Sequence, residues 1–209
     1  MKVNEIFKSI QGEGIYIGTP MLFVRLTGCN LRCKWCDTKY AYTEGEEWKL
    51  EDLLKRIEKE NMEWVCITGG EPLIQDETYL LVDALLRKGH KVLIETNGSV
   101  DISKLPTEEN LVVSLDIKTP SSGMHNFNQF KNLDYLGPND YVKFVIADET
   151  DFEYAVKIIN TRDIKTEIVF QPLWGTDMEK LVKMVLDANL NVRVLPQLHK
   201  MIWGEKRGV

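Results

Sequence analysis

The chain reads as an α/β protein built on an open, partial (β/α) barrel of about six to seven mostly parallel strands, truncated relative to a full barrel. Three observations predict this. Short apolar runs alternate with amphipathic stretches along most of the sequence, the pattern of β/α units feeding a parallel sheet. Chemically distinctive residues follow the ends of those runs, where parallel sheets place their ligand sites. The 209 residues also fall short of the ~250 that a complete eightfold barrel typically takes. That length is read as a single domain, residues 1–209.

Composition narrows the function classes. The formal charge of −6 offers no basic footprint for nucleic acid. No apolar run reaches the length of a membrane span, and Met1–Glu5 lacks the apolar core of a signal peptide. The expectation is a cytoplasmic protein with reduced thiols, no membrane contact and no disulfide framework.

The elements follow in order. Two glycines around Glu13, in Gln11-Gly12-Glu13-Gly14, read as a tight turn. The first strand the pattern predicts is Met21–Thr27, apolar except for Arg25, and so covered on both faces. It runs directly into Gly28–Thr38, which holds three of the four cysteines. A helix over about Leu50–Asn61 puts Leu53, Leu54 and Ile57 on one face. Strand Trp64–Thr68 leads to Gly69-Gly70-Glu71-Pro72 and a helix over about Glu77–Lys88. Strand Lys91–Thr96 leads to Asn97-Gly98, and strand Leu111–Asp116 to Lys118-Thr119-Pro120. Residues 121–138 carry no periodicity and read as a long surface loop. Strand Tyr141–Ile146 precedes a helix at about Asp151–Asn160, and strand Glu167–Phe170 precedes Gln171-Pro172 and a helix at about Met178–Ala188. A last strand, Asn191–Leu195, ends in Pro196-Gln197 and a tail through His199.

Cys29, Cys33 and Cys36 are separated by three and two residues. Structural zinc takes four ligands, usually as two distant pairs, and no histidine is near in sequence. A redox pair of Cys33 and Cys36 leaves Cys29 idle. An iron–sulfur cube takes four thiolates, so three leave one iron open. The open cluster is therefore the favoured reading, with zinc or inert thiols as alternatives. Cys66 lies within an apolar strand and reads as core.

Ser114, Asp116 and Lys118 alternate, so they share one face, either lining a ligand site or forming a solvated strand end. Thr96 and Asn97 pose the same choice. Arg25, inside an apolar strand, calls for an anion, either a ligand's or that of a structural Asp or Glu. The Gln11 amide can both donate and accept.

The Cys-x3-Cys-x2-Cys loop after a first strand resembles the radical S-adenosylmethionine (SAM) enzymes. The resemblance implies a [4Fe-4S] cluster on Cys29, Cys33 and Cys36 with SAM chelated at the open iron. It further implies SAM contacts from Trp35, Asp37, Gly69, Gly70, Glu71, Thr96, Asn97, Ser114, Asp116, Lys118 and Gln171. A narrower likeness spans the chain. Ile10–Gly14, Phe23–Leu26, Cys36-Asp37-Thr38, Gln197–Lys200 and Trp203–Val209 resemble the 7-carboxy-7-deazaguanine synthase family. That likeness implies a lyase converting 6-carboxy-5,6,7,8-tetrahydropterin to 7-carboxy-7-deazaguanine with loss of ammonia, on the route to queuosine and other deazapurines. It implies Mg2+ at Thr38 and pterin contacts from Ile10, Gln11, Gly12, Glu13, Arg25, Thr68, His199 and Val209. An external electron donor of flavodoxin or ferredoxin type and a homodimer are further implications. Two rivals remain at this level: an activating enzyme for a glycyl-radical protein, and a non-enzymatic zinc module.

Overall fold

Because each β/α unit returns the chain to the next place in line, seven parallel strands lie side by side in sequence order. The computed structural model describes residues 1–209. Its strands are β1 (Lys2–Ile10), β2 (Pro20–Leu26), β3 (Glu46–Glu47), β4 (Trp64–Gly69), β5 (Lys91–Thr96), β6 (Leu111–Asp116), β7 (Tyr141–Ile146), β8 (Glu167–Pro172) and β9 (Arg193–Val194). They form one open sheet in the order β3-β1-β2-β4-β5-β6-β7-β8-β9, in which β1 alone is reversed, pairing antiparallel with both β2 and β3. The helices are α1 (Leu50–Glu58), α2 (Glu77–Arg87), α3 (Glu149–Thr161), α4 (Met178–Asp187) and α5 (Leu198–Trp203). Asp148 and Asp177 cap α3 and α4 by accepting from the backbone N–H groups of Asp151 and Lys180. No helix is long and apolar enough to cross a membrane.

Three expectations change. Lys2–Ile10 is a strand; its lysines and Glu5 obscured it in the sequence, but it pairs with β2 along its length. Residues 121–138 are not a plain surface loop. They make three short 3-10 turns, and Asn132, within the third, is buried. Its amide accepts from Ile102 N at 3.2 Å and donates to Val100 O at 2.8 Å, taking up backbone groups that no sheet satisfies. The expected tail through His199 becomes α5, which begins at Leu198.

The two-residue period of a strand sorts side chains between an outer and an inner face. Outward residues such as Val24, Ile67, Ile94 and Val113 join α1 and α2 in one core, whose buried members run from Val3 to Val113. Phe144, Ile146, Ile168 and Phe170 join α3 and α4 in a second, running from Leu115 to Val185. Inward, the first storey is apolar: Met21, Phe23, Cys66, Leu93, Val112, Tyr141 and Val169 pack into a floor. Cys66 is core, as its strand context implied. Two residues further along, the same inward parity gives Arg25, Thr68, Glu95, Ser114, Lys143 and Gln171. This second storey is polar, and it is the base of the site.

Candidate active site

All six residues of that polar storey line one cavity at the C-terminal ends of the parallel strands. The β2–α1 loop supplies Cys29, Cys33, Trp35, Cys36, Asp37 and Thr38 to its wall. Ile10, Gln11, Gly12 and Glu13 come from the turn after β1, and Gly69, Gly70, Thr96, Asn97, Asp116 and Lys118 from strand ends. His199 and Val209 close the rim from the C-terminal segment. The choice left open for Ser114, Asp116, Lys118, Thr96 and Asn97 is thereby settled as geometry: they face the cavity.

Glu71 is the exception. It does not line the cavity but lies fully buried behind it. One carboxylate oxygen accepts from Leu73 N at 3.1 Å and Thr96 Oγ1 at 2.9 Å, and the other from Asn97 N at 2.6 Å. It ties the turn after β4 to the end of β5. Burial pushes its carboxyl up to about 7, only partly opposed by those hydrogen bonds.

The two preceding glycines are required by the cysteine loop. A Cβ on Gly70 would stand 2.2 Å from Gly28 O and 2.7 Å from Cys29 Cβ, and one on Gly69 would stand 2.4 Å from Leu26 O. Side chains are excluded here because the loop packs directly on this turn. Gly70→Ala is therefore expected to displace Cys29 and lower the iron retained after anaerobic reconstitution to well below half the wild-type content. Full iron loading in a folded variant would show that the loop can give way.

Within the loop, Cys29 Sγ accepts from Leu31 N at 3.4 Å and Asn97 Nδ2 at 3.7 Å. Burial pushes the Cys29 and Cys33 thiols up. Trp35 Nε1 donates to Ser121 Oγ at 3.0 Å, and the Lys118 ammonium lies 5.5 Å from its ring centroid. Trp35 is thus both a loop anchor and part of the wall. No three His, Cys, Asp or Glu side chains form a group that could hold a metal ion. A single ion needs all its donors about 2.3 Å from one point. Three thiols lining the cavity would leave one iron of a cluster open, whereas structural zinc takes four protein ligands.

Of the two anions the sequence leaves open for Arg25, the structure shows one supplied by the protein. Arg25 Nε donates to Glu5 Oε1 at 2.8 Å, from β1, the strand that was not foreseen. Its side chain nevertheless lines the cavity. The sequence reading also missed Lys143, whose Nζ is 2.5 Å from Glu13 Oε2 and 3.5 Å from Asp116 Oδ2. Lys118 Nζ reaches the same Asp116 oxygen at 3.0 Å. Burial raises the Glu13 carboxyl, but Lys143, His199 and the Gln197 amide outweigh it and hold the group far below the usual carboxylate range. Glu95 was missed too; it accepts from Gln11 Nε2 at 3.0 Å. Lys and Glu within short apolar strands, at the inward parity of Tyr141 and Leu93, were the signal for both.

Several buried polar atoms along this wall have no partner in the protein: Asp116 Oδ1, Gln197 Oε1 and both amide atoms of Gln171. Buried polar groups are almost always paired, so these atoms are available to a bound polar ligand or to water.

The comparisons with known proteins bear on which ligand that is. The model of the Radical SAM superfamily matches residues 23–161. The 7-carboxy-7-deazaguanine synthase of Thermoplasma acidophilum is 43% identical over 209 residues, covering 100% of both chains. The 7-carboxy-7-deazaguanine synthase of Methanospirillum hungatei is 41% identical, covering 97% of this chain and 85% of that one. The chain belongs to the 7-carboxy-7-deazaguanine synthases. The crystal structure of QueE from Escherichia coli superposes with a TM-score of 0.78 at 27% identity, covering 95% of this chain and 94% of that one. Streptococcus suis SuiB, at 17% identity and a TM-score of 0.60, shares the fold alone. As a radical SAM synthase the chain is an enzyme using a [4Fe-4S] cluster and SAM, and the open, mostly parallel sheet is that of its family. The activating-enzyme and zinc-module readings are not favoured.

Proposed function

We propose that the enzyme converts 6-carboxy-5,6,7,8-tetrahydropterin to 7-carboxy-7-deazaguanine with release of ammonia, a step toward queuosine and related deazapurines. The observation that carries this is that one cavity is lined both by the three thiols and by residues with unpartnered buried polar atoms. Cys29, Cys33 and Cys36 would hold the cluster, leaving one iron open to SAM. When bound, the cluster and SAM supply the one-electron chemistry.

The chain's own residues bind, orient and exclude water. Asp116 Oδ1 and Gln171 are the partners offered to SAM, with Lys118 and Trp35 beside them and Asn97 at Cys29. At the turn after β1, Gln11 and Glu13 can read the pyrimidine edge of the pterin. Glu13 stays ionised beside Lys143 and so keeps an acceptor in a buried place. Arg25, Thr68 and His199 complete the set. Gly12 must lack a side chain, because a Cβ there would stand 2.1 Å from His199 Nδ1.

Mg2+ is part of the proposal. Thr38 Oγ1 donates to Asp37 Oδ1 at 2.9 Å and lines the cavity, so a hydroxyl and a carboxylate oxygen are adjacent. Magnesium keeps several waters and binds few protein groups, which suits so sparse a donor set. An external flavodoxin- or ferredoxin-type donor, a homodimer and a cytoplasmic location complete the reading.

The test is anaerobic turnover of the carboxytetrahydropterin after cluster reconstitution, with product mass and ammonia as readouts. Stoichiometric ammonia and the deazaguanine are expected; SAM cleavage without either would overturn the substrate assignment. Omitting Mg2+, or Thr38→Ala, is expected to lower pterin turnover at least tenfold while leaving SAM binding unchanged, since losing even a group that only supports a metal ligand typically costs about ten- to hundredfold. Equal turnover with and without the ion would remove it from the reaction.

A further inference from the structure

We infer that Arg207 is a positioning residue that sets the charge presented at Arg25, coupling closure of the C-terminal segment to capture of a carboxylate in the cavity. The identity of that carboxylate, a carboxypterin, rests on the proposed function.

The geometry centres on Glu5. Its Oε1 accepts from Arg25 Nε at 2.8 Å and from Tyr40 OH at 2.9 Å. Its Oε2 accepts from Arg207 Nε at 3.4 Å. Arg207 is held there by Glu44 Oε2 at 2.8 Å from Nη1 and by Asn4 Oδ1 at 3.0 Å from Nη2. Its guanidinium carbon lies 3.8 Å from the centroid of the Tyr40 ring. An isolated exposed ion pair contributes little. This one combines two carboxylates, an amide and an aromatic face in the planar geometry that only a guanidinium matches.

One carboxylate thus answers two guanidinium groups. With Arg207 away, Glu5 is committed to Arg25, and the pair shows the cavity no net charge. With Arg207 docked, Arg25, Glu5 and Arg207 together carry one positive charge. Glu44, the second anion on Arg207, has 55% of its side chain exposed to screening solvent and Arg207 43%, against 16% for both Glu5 and Arg25, while Glu95 bears on Arg25 whether or not Arg207 is docked. Closure therefore raises the positive potential at Arg25. By reciprocity, an anion placed at Arg25 favours the docked Arg207 by the same factor.

Arg207 is separable from the rest of the segment. Residues 197–200 are fastened independently: Leu198 N donates to Gly12 O at 2.9 Å, Gln197 Nε2 to Glu13 Oε1 at 2.8 Å, and Lys200 Nζ is 3.0 Å from Asp37 Oδ2. Arg207→Gln should leave α5 in place and release only the outer clamp.

The test compares wild type, Arg207→Gln and Arg207→Lys as reconstituted full-length enzyme. Arg207→Gln is expected to raise KM for the carboxypterin about tenfold, within the range usual for coupled sites, with kcat within twofold and KM for SAM unchanged. Arg207→Lys is expected to recover part of the loss. A pterin lacking the carboxylate should bind wild type and Arg207→Gln equally. Independently of turnover, the carboxypterin should slow amide hydrogen exchange over residues 204–209 in wild type and not in Arg207→Gln. An unchanged KM, a loss confined to kcat, or equal exchange slowing in both proteins would overturn the inference while leaving the proposed function intact. A wild-type enzyme that neither binds nor turns over the pterin would instead defeat the proposed function.

Discussion

Lys143→Met is expected to destabilise the fold by about 3–5 kcal/mol, the usual cost of breaking a buried ion pair from one side. The ammonium stands between two buried carboxylates, 2.5 Å from Glu13 and 3.5 Å from Asp116. Burial works against its charge, but Glu13, Asp116 and Glu95 outweigh that and hold Lys143 firmly protonated. Without it Asp116 keeps Lys118, whereas Glu13 keeps only the Gln197 amide and the more distant His199. The pH dependence gives a second, sharper readout. In the wild type the Glu13 carboxyl is depressed on folding, so its contribution is present above the unfolded value of 4.5 and is lost as pH falls below it. In the variant, burial is no longer outweighed, the folded value rises, and Glu13 instead weakens the fold as pH increases. Between pH 5 and pH 8 the wild-type contribution is flat, so urea unfolding should show the stability difference between wild type and variant widening with pH, and Lys143→Arg should largely prevent this. A cost below about 1 kcal/mol, as for an exposed pair, would mean that the cavity solvates both carboxylates unaided.

Glu71→Ala should be comparably severe through a different cause. It strands three buried donors, Leu73 N, Thr96 Oγ1 and Asn97 N. At about 1–3 kcal/mol for each unsatisfied group, the loss is at least about 3 kcal/mol. Because Asn97 also donates to Cys29 Sγ, iron retention should fall with stability. The carboxyl itself carries a titration signature. Its folded value of about 7 exceeds the unfolded 4.5, so its contribution is greatest below 4.5 and is lost as pH rises through 7. Between pH 5 and 8 that amounts to about 2–3 kcal/mol. Glu71→Gln should remove this part of the slope, in the difference between the two unfolding profiles, while costing stability by turning its amide N–H toward existing donors. Parallel profiles would show that Glu71 does not change protonation on folding.

What could be read from the sequence follows from how far each signal travels along the chain. The seven parallel strands were legible because their apolar runs are local, and the position of the site followed because each loop after a strand carried its own distinctive residues. Lys143 was not, since its meaning depends on Glu13, 130 residues away. Lys2–Ile10 hid for a related reason: as an antiparallel strand near the sheet edge it carries Lys2, Glu5 and Lys8, and the Glu5 that answers Arg25 went with it. Glu71 was placed in the cavity because the motif around it faces the cavity, whereas its own carboxylate points back to bind Leu73, Thr96 and Asn97. The C-terminal residues gave no local signal beyond the family likeness, because Arg207 acquires a role only when Tyr40, Glu44 and Glu5 meet it.

The division of the outer core at about residue 114 has a consequence for biogenesis. Nearly every strand neighbours its predecessor, so the first core, closed by Val113, can consolidate during translation before the second core exists. By then the three thiols, the glycine turn beneath them and Asn97 have all been made. Gln197, Lys200 and Arg207, which close the rim, come about 80 residues or more later, at ordinary elongation rates a delay of several seconds. The order of synthesis thus completes the cysteine loop and the turn beneath it before the residues that close the rim exist.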